Sequence, residues 1–345
     1  KARLADMRAA MSPEDLEAVK QKAIALEERQ AAEDDPELLP KVTLADVAPE
    51  LAYVAPTNVT NDESKGLPVA EYITGTNGIV YQQLLADLPP MTPEQLTWLP
   101  FFTQTWTEIG AGGHDYLTQQ QRQTATVGSL SSYASVKSNV NDCNAMTGYL
   151  VMSGKALGSN AEEFSSIIKE TWQAADFTEE KRLKDLLGQA RARKEQGITG
   201  GGHSLAMSLA SAPLNPAAHF MNELGGLPQA KRLKARTEQV KAEGASCLVK
   251  AMQDIYATLD KTPDSALMVH DDVYGKAHMA SLSSRWNHAG KQQSGNIVWT
   301  PDTAPTYWMV DSQVNFCSWA LPTVTLTHAD SAALAVLGGI LRNGH

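Results

Sequence analysis

The chain has 345 residues, 43% hydrophobic and 20% charged, and 29 Lys and Arg against 39 Asp and Glu give it a net charge of −10. That composition is globular and the length suits two domains of ordinary size, which excludes a disordered chain, a disulfide-stapled miniprotein and a collagen-like repeat. The acidic balance lacks the basic footprint of a nucleic-acid binder, and no apolar run reaches the roughly 18 to 20 residues of a membrane helix, so neither partner is expected.

The opening reads as a helical hairpin over residues 1–35. Leu4, Met7 and Met11 fall on one stripe, and Ser12-Pro13-Glu14-Asp15 supplies a cap, a first-turn proline and first-turn acids for a second helix carrying Leu16, Val19, Ala23 and Leu26. Two such short helices cannot make a core by themselves. Residues 36–66 read as an extended connector. The pattern then changes to strands over 69–73 and 78–88, separated by the turn-forming Gly75-Thr76-Asn77-Gly78. Pro93-Glu94 opens a helix with Leu96, Leu99, Phe102 and Trp106 on one side, and a polar helix follows at 116–126. Residues 131–138 and 145–154 alternate like paired antiparallel strands. Helices are expected over 160–175, 178–196, 203–221 and 237–259, then a strand at 265–270 and a helix at 275–288. A linker over 290–305 leads to strands at 307–319 and 321–325 and a last helix at 330–343.

Strands, then a run of helices, then a returning strand make an α+β protein: an antiparallel sheet with helices packed on one face. The domain reading is a hairpin linker at 1–35, a connector at 36–66, an α+β domain at 67–290 and the unfinished start of a second similar domain at 291–345. The chain begins at Lys1 and stops at His345 soon after an apolar run, so both ends read as cuts in a longer product.

Candidate sites are few. Three distant cysteines, Cys143, Cys247 and Cys317, form no C-x-x-C; they read as reduced and buried, which favours the cytoplasm. Eight histidines include no H-E-x-x-H and no H-x-x-E-H. His219 and Glu223 stand one helical turn apart, but two ligands need a third and none is suggested, so a surface or packing role is the better reading. His270-Asp271-Asp272 closes a strand and reads as a solvated turn sooner than a cation site. The stretch from Gly197 to Ser204 lacks a P-loop lysine and reads as a hinge between helices. Gly110-Ala111-Gly112-Gly113 reads as a break. Trp98, Trp106 and Trp172 sit at helical spacing among apolar residues and read as core. From the residues themselves there is no catalytic and no metal site, the substrate-binding residues are unknown, and the chain is a globular α+β protein.

Four groups of segments, in order, resemble the insulinase/pitrilysin class of zinc peptidases in its presequence-protease-like branch. They are Leu26-Glu27-Glu28-Arg29-Gln30 with Pro36, Leu39-Pro40 and Leu44-Ala45-Asp46-Val47; Thr76-Asn77-Gly78-Ile79-Val80-Tyr81 with Leu99-Pro100-Phe101-Phe102 and Glu108-Ile109-Gly110; Gly200-Gly201-Gly202-His203-Ser204-Leu205-Ala206 with Asn222-Glu223-Leu224-Gly225-Gly226-Leu227; and 334–343. The resemblance implies four similar domains in two bowl-shaped halves closing around an unfolded peptide, with zinc and its activating glutamate in the first domain, outside this chain. It further implies that this chain is the linker hairpin, the third domain and the start of the fourth. On that basis it is a non-catalytic portion of a zinc endopeptidase (a hydrolase), holding no cofactor itself and partnered by the N-terminal half of the same polypeptide and by peptide substrates. The alternative is an inactive homologue serving as a structural or interaction subunit.

Overall fold

The computed structural model of the chain describes residues 4, 9–32, 37, 40–41, 43–50, 53–60, 66–286, 289–290, 307–311 and 313–343. The chain resolves into two compact units, 1–54 and 55–345. In the first, helix α1 (Pro13–Ala31) is closed by a reciprocal cap, with Asp15 N–H on Ser12 Oγ at 3.1 Å and Ser12 N–H on Asp15 Oδ2 at 3.1 Å. It has no buried residue. The helix expected before it falls largely outside the described residues, as does most of the linker expected at 290–305.

The second unit is built on a six-stranded sheet in the order β1-β2-β8-β3-β6-β5. Its strands are β1 (Asn58–Thr60), β2 (Val69–Ile73), β3 (Ile79–Asp87), β5 (Val127–Ser138), β6 (Met146–Leu157) and β8 (Ser265–His270); a small second sheet pairs β4 (Gly110–Ala111) with β7 (Ala175–Asp176). The sheet is antiparallel except where β8 lies parallel to β2. The turn at Asn77-Gly78, both at positive φ, therefore does not close a hairpin: β8 is inserted between β2 and β3, where its Ala266 and Met268 are buried.

Nine helices follow in the described part of this unit: α2 (Pro93–Trp106), α3 (Tyr116–Thr126), α4 (Ala161–Gln173), α5 (Glu180–Gly200), α6 (Gly202–Ser211), α7 (Pro216–Gly225), α8 (Leu227–Glu243), α9 (Ser246–Tyr256) and α10 (Gly275–Arg285), with α11 (Ser331–Asn343) near the end. Helix α2 starts where the sequence says, on a Thr92–Gln95 capping box followed by Pro93. The expected single helix over 203–221 is two, because Asn215 caps a new start at Pro216, its Oδ1 accepting from Ala218 N–H at 2.8 Å. The expected 237–259 helix is also two: Gly244, at φ 92°, closes α8 in the left-handed region that favours glycine. The first part of α8 was hidden from periodicity by its run of Lys231, Arg232, Lys234 and Arg236.

One core joins Val80, Leu84 and Ala86 of β3, Leu150 and Met152 of β6 and Met268 of β8 to Leu99, Phe102, Trp106, Phe164, Ile168 and Trp172 of the helices. Because inward residues alternate along each strand, the packed helices lie on one sheet face. The strand expected at 307–319 is absent: among the described residues this segment pairs with no strand, and Tyr307, Met309 and Trp319 are largely exposed. An apolar–polar alternation makes a strand only when a neighbouring edge receives it. Phe316 rests instead against Gly202, so closely that a Cβ added there would strike its ring.

Candidate functional site

The face of the sheet opposite the helices is made by the alternate set of strand residues. Tyr81 stands between Lys155 and Val269, Gln83 between Ser153 and Leu267, and Leu85 between Val151 and Ser265. The rows continue outward to Ser129, Ser131 and Tyr133 on β5 and to Tyr72 on β2. Tyr81 and Tyr133 are about two-fifths exposed, at 40% and 41%. The face is thus mixed, with tyrosine rings, aliphatic side chains, short hydroxyls, an amide and the charged Lys155, Lys137 and Asp87.

Beside it, β5 ends the sheet. A cleft of about 650 Å³ runs between this strand, α2, α5 and the start of α8, with Leu130, Ser131 and Ser132 on one side and Gln189, Arg193 and Lys194 on the other. Glu108, also in the cleft, is held by Arg182 at 2.9 Å. Burial pushes the Lys194 ammonium down, and its Nζ donates to the carbonyl of Gly225.

At the other end of the sheet the structure corrects the solvated turn expected at His270-Asp271-Asp272. His270 is 2% exposed, with Nε2 2.8 Å from Glu71 Oε1 and Nδ1 2.8 Å from the Asp271 carbonyl. Asp271 accepts from Gly78 N–H at 2.7 Å, which holds its carboxyl below the usual range. The group ties β8, β2 and the β2–β3 turn together. Glu71 and His270 stand 199 positions apart, so no local motif could announce them.

Close by, His278 is fully buried on α10, its ring edge-on to Phe164 and its Nε2 3.2 Å from the Gly158 carbonyl. Burial lowers its pKa, the charge of His270 adds to the effect and the hydrogen bond to Gly158 opposes it. The folded protein therefore holds it neutral while the unfolded chain takes up a proton near pH 6.5. Its contribution is full above about pH 6.5 and is lost as pH falls below it. His278→Gln, which keeps an N–H for Gly158, is expected to flatten the decline of the urea midpoint between about pH 6.5 and 5. An unchanged slope would contradict the assignment.

The remaining sequence candidates are placed as follows. Glu223 is bound by Arg232 at 2.8 Å. The stretch Gly197–Ser204 ends α5 and begins α6. Gly110-Ala111-Gly112-Gly113, read as a break, does separate two helices, and its first two residues also form one strand of the small sheet: Gly110 N–H donates to Glu179 Oε2 at 2.8 Å, and a Cβ on Gly112 would fall 2.8 Å from the Glu170 carboxylate. Trp98, Trp106 and Trp172 are core. The cysteines are free but not buried as expected, since Cys143 and Cys247 are half-buried and Cys317 is exposed on the unpaired segment. Among the described residues no group of three or more His, Cys, Asp or Glu is placed to hold a metal ion, so the donor set present does not fit zinc. No helix among them is long and apolar enough to cross a membrane.

Comparison with known proteins places this chain in a family. The model of the family described as Peptidase M16 subfamily C associated matches residues 1–235. The chain is similar to the mitochondrial presequence protease of Danio rerio, at 26% identity over 96% of this chain and 34% of that protein. It is also similar to presequence protease 1, chloroplastic/mitochondrial, of Arabidopsis thaliana, at 29% identity over 65% of this chain and 21% of that protein. A solved structure of a conserved protein from Enterococcus faecalis V583 aligns with TM-score 0.49 and 12% identity over 70% of this chain and 55% of that one. The chain thus spans about a third or less of the length of these curated relatives. Their names place them in mitochondria or chloroplasts, which overturns the cytoplasmic preference drawn from cysteine usage. Three isolated free cysteines are equally at home in any reducing organelle interior, so they could not discriminate.

Proposed function

This chain belongs to the family of Peptidase M16 subfamily C associated proteins, and from that membership we propose that it is a non-catalytic wall of a zinc-dependent endopeptidase that degrades peptides and short unfolded polypeptides in a closed chamber. Its partners in this reading are the N-terminal half of the same polypeptide, which would hold the zinc, and peptide substrates. Residues 1–35 and 36–66 serve as linker, 67–290 as the third-domain-like body and 291–345 as the start of a further domain. The observation that carries the proposal is the sheet face that no helix among the described residues covers, where Tyr72, Tyr81, Tyr133, Gln83 and Ser153 present half-exposed polar and aromatic groups in register. Such a surface suits transient contact with many sequences, with chamber size setting substrate choice more than any pocket does.

The test is zinc content and cleavage of a peptide of about 30 residues, with and without chelator. The chain by itself is expected to retain no stoichiometric zinc and to leave the peptide intact, and addition of the missing N-terminal half is expected to produce chelator-sensitive cleavage. Zinc-dependent cleavage by this chain alone would refute the non-catalytic reading. A complemented assembly that stays inactive would favour the inactive structural subunit.

A further inference from the structure

We propose that the outer edge of β5, with the cleft beside it, binds an extended peptide carrying a carboxylate side chain, added to the sheet as a further strand; the inference rests on the chamber-wall reading and narrows it to one edge. Strand β5 is 12 residues long and hydrogen-bonded to β6 along one side. On its other side, among the described residues, no strand lies against it. Edges of that length are ordinarily blunted by proline, by a bulge or by charges spread along them. Here there is no proline, the single register shift lies at Val127/Ser129 at one extreme, and the only charge is Lys137. Serines at 129, 131, 132 and 135 keep the approach to the backbone low. The edge is built to pair, by main-chain bonds that are indifferent to sequence.

Charge selects the occupant. In a protein of net charge −10, the cleft along Leu130, Ser131 and Ser132 carries Arg193 and Lys194, while its acid, Glu108, is already neutralised by Arg182. Arg193 makes no hydrogen bond or ion pair among the described residues, and Lys194 meets a carbonyl, not a carboxylate. Gln229, 4% exposed, also lines the cleft; its Oε1 accepts from Arg232 and leaves the amide nitrogen without a partner among the described residues. Two cations and an amide donor beside a strand edge that no described strand covers fit an extended backbone with an acidic side chain turned into the cleft.

The probe is a fluorescein-labelled ten-residue peptide of alternating Thr and Val with one central Glu, titrated with the chain and read by fluorescence anisotropy. Two further peptides carry backbone N-methyl groups on the odd or on the even residues. One N-methyl series is expected to bind about tenfold more weakly and the other to stay near the parent, because only every second N–H faces the edge. Glu→Gln in the peptide and Arg193→Glu in the protein are each expected to weaken binding about fivefold to tenfold, and to do so non-additively when combined. Equal binding of all three backbones, or no binding, would overturn the proposal, as would a dimer through β5 in sedimentation that the peptide does not dissociate. If binding is absent while the complemented enzyme still cleaves, this proposal fails and the chamber reading stands.

Discussion

Trp106→Ala is expected to lower the unfolding free energy by about 4 kcal/mol, the upper range for removing a large buried aromatic. The ring is fully buried, with centroids 5.3 Å from Phe102, 5.0 Å from Trp172 and 6.2 Å from Tyr256. It also donates from Nε1 to the Thr171 carbonyl at 2.8 Å, in the last turn of α4 where helical carbonyls lack partners of their own. Truncation therefore removes packing, opens a cavity among rings too rigid to close it, and orphans an acceptor. Trp106→Phe separates these terms: it keeps most of the ring stack and is expected to cost about 1 to 2 kcal/mol, chiefly for the lost donor. Urea midpoints at unchanged slope measure both. If the alanine variant lost less than the phenylalanine variant, the ring cluster could not be the centre of the core.

The parts of the fold that sequence makes legible are those fixed by neighbours in the chain. The start of α2 follows from Thr92-Pro93, and the burial of Leu99, Phe102 and Trp106 from their spacing. The strand at 265–270 follows from its short continuous apolar run, Ala266 to Val269, set between Pro263-Asp264 and His270-Asp271. Partnership across the sheet does not follow. Nothing in 69–73 or 265–270 says that these strands run parallel, and nothing in 127–138 says that it is an edge: a bordering strand and an interior strand of a one-sided sheet carry the same alternation. The segment 307–319 fails for the converse reason, having the pattern but no described partner. Gly110–Gly113 looked like punctuation because a two-residue strand leaves no periodic trace. For the site, the resemblance implied a wall but the sequence named none of its residues, and the cleft joins α2, α5, α8 and β5, a convergence made only by packing.

Breaking the Glu71–His270 pair is the second large effect expected. Both ring nitrogens lie 2.8 Å from oxygen atoms, Nε2 from Glu71 Oε1 and Nδ1 from the Asp271 carbonyl, and the pair is buried, 2% and 14% exposed. Glu71 completes its own bonding by accepting from Asn58 Nδ2 at 2.6 Å, which carries the tie on to β1. The ring cannot move away: Gly275 lies against it so closely that a Cβ there would collide with Cε1 and Nδ1. Removing one partner leaves the other's buried polar atoms without their hydrogen bond, so His270→Ala and Glu71→Ala are each expected to cost about 3 kcal/mol. The double variant strands nothing and is expected to cost about 3 to 4 kcal/mol, well short of the sum, for a coupling near 2 kcal/mol. Additive losses in the urea-denaturation cycle would mean that the two side chains act separately, one on β2 and one on β8. A coupled loss would make this pair the clamp that holds the parallel strand, and hence the far end of the open face, in register.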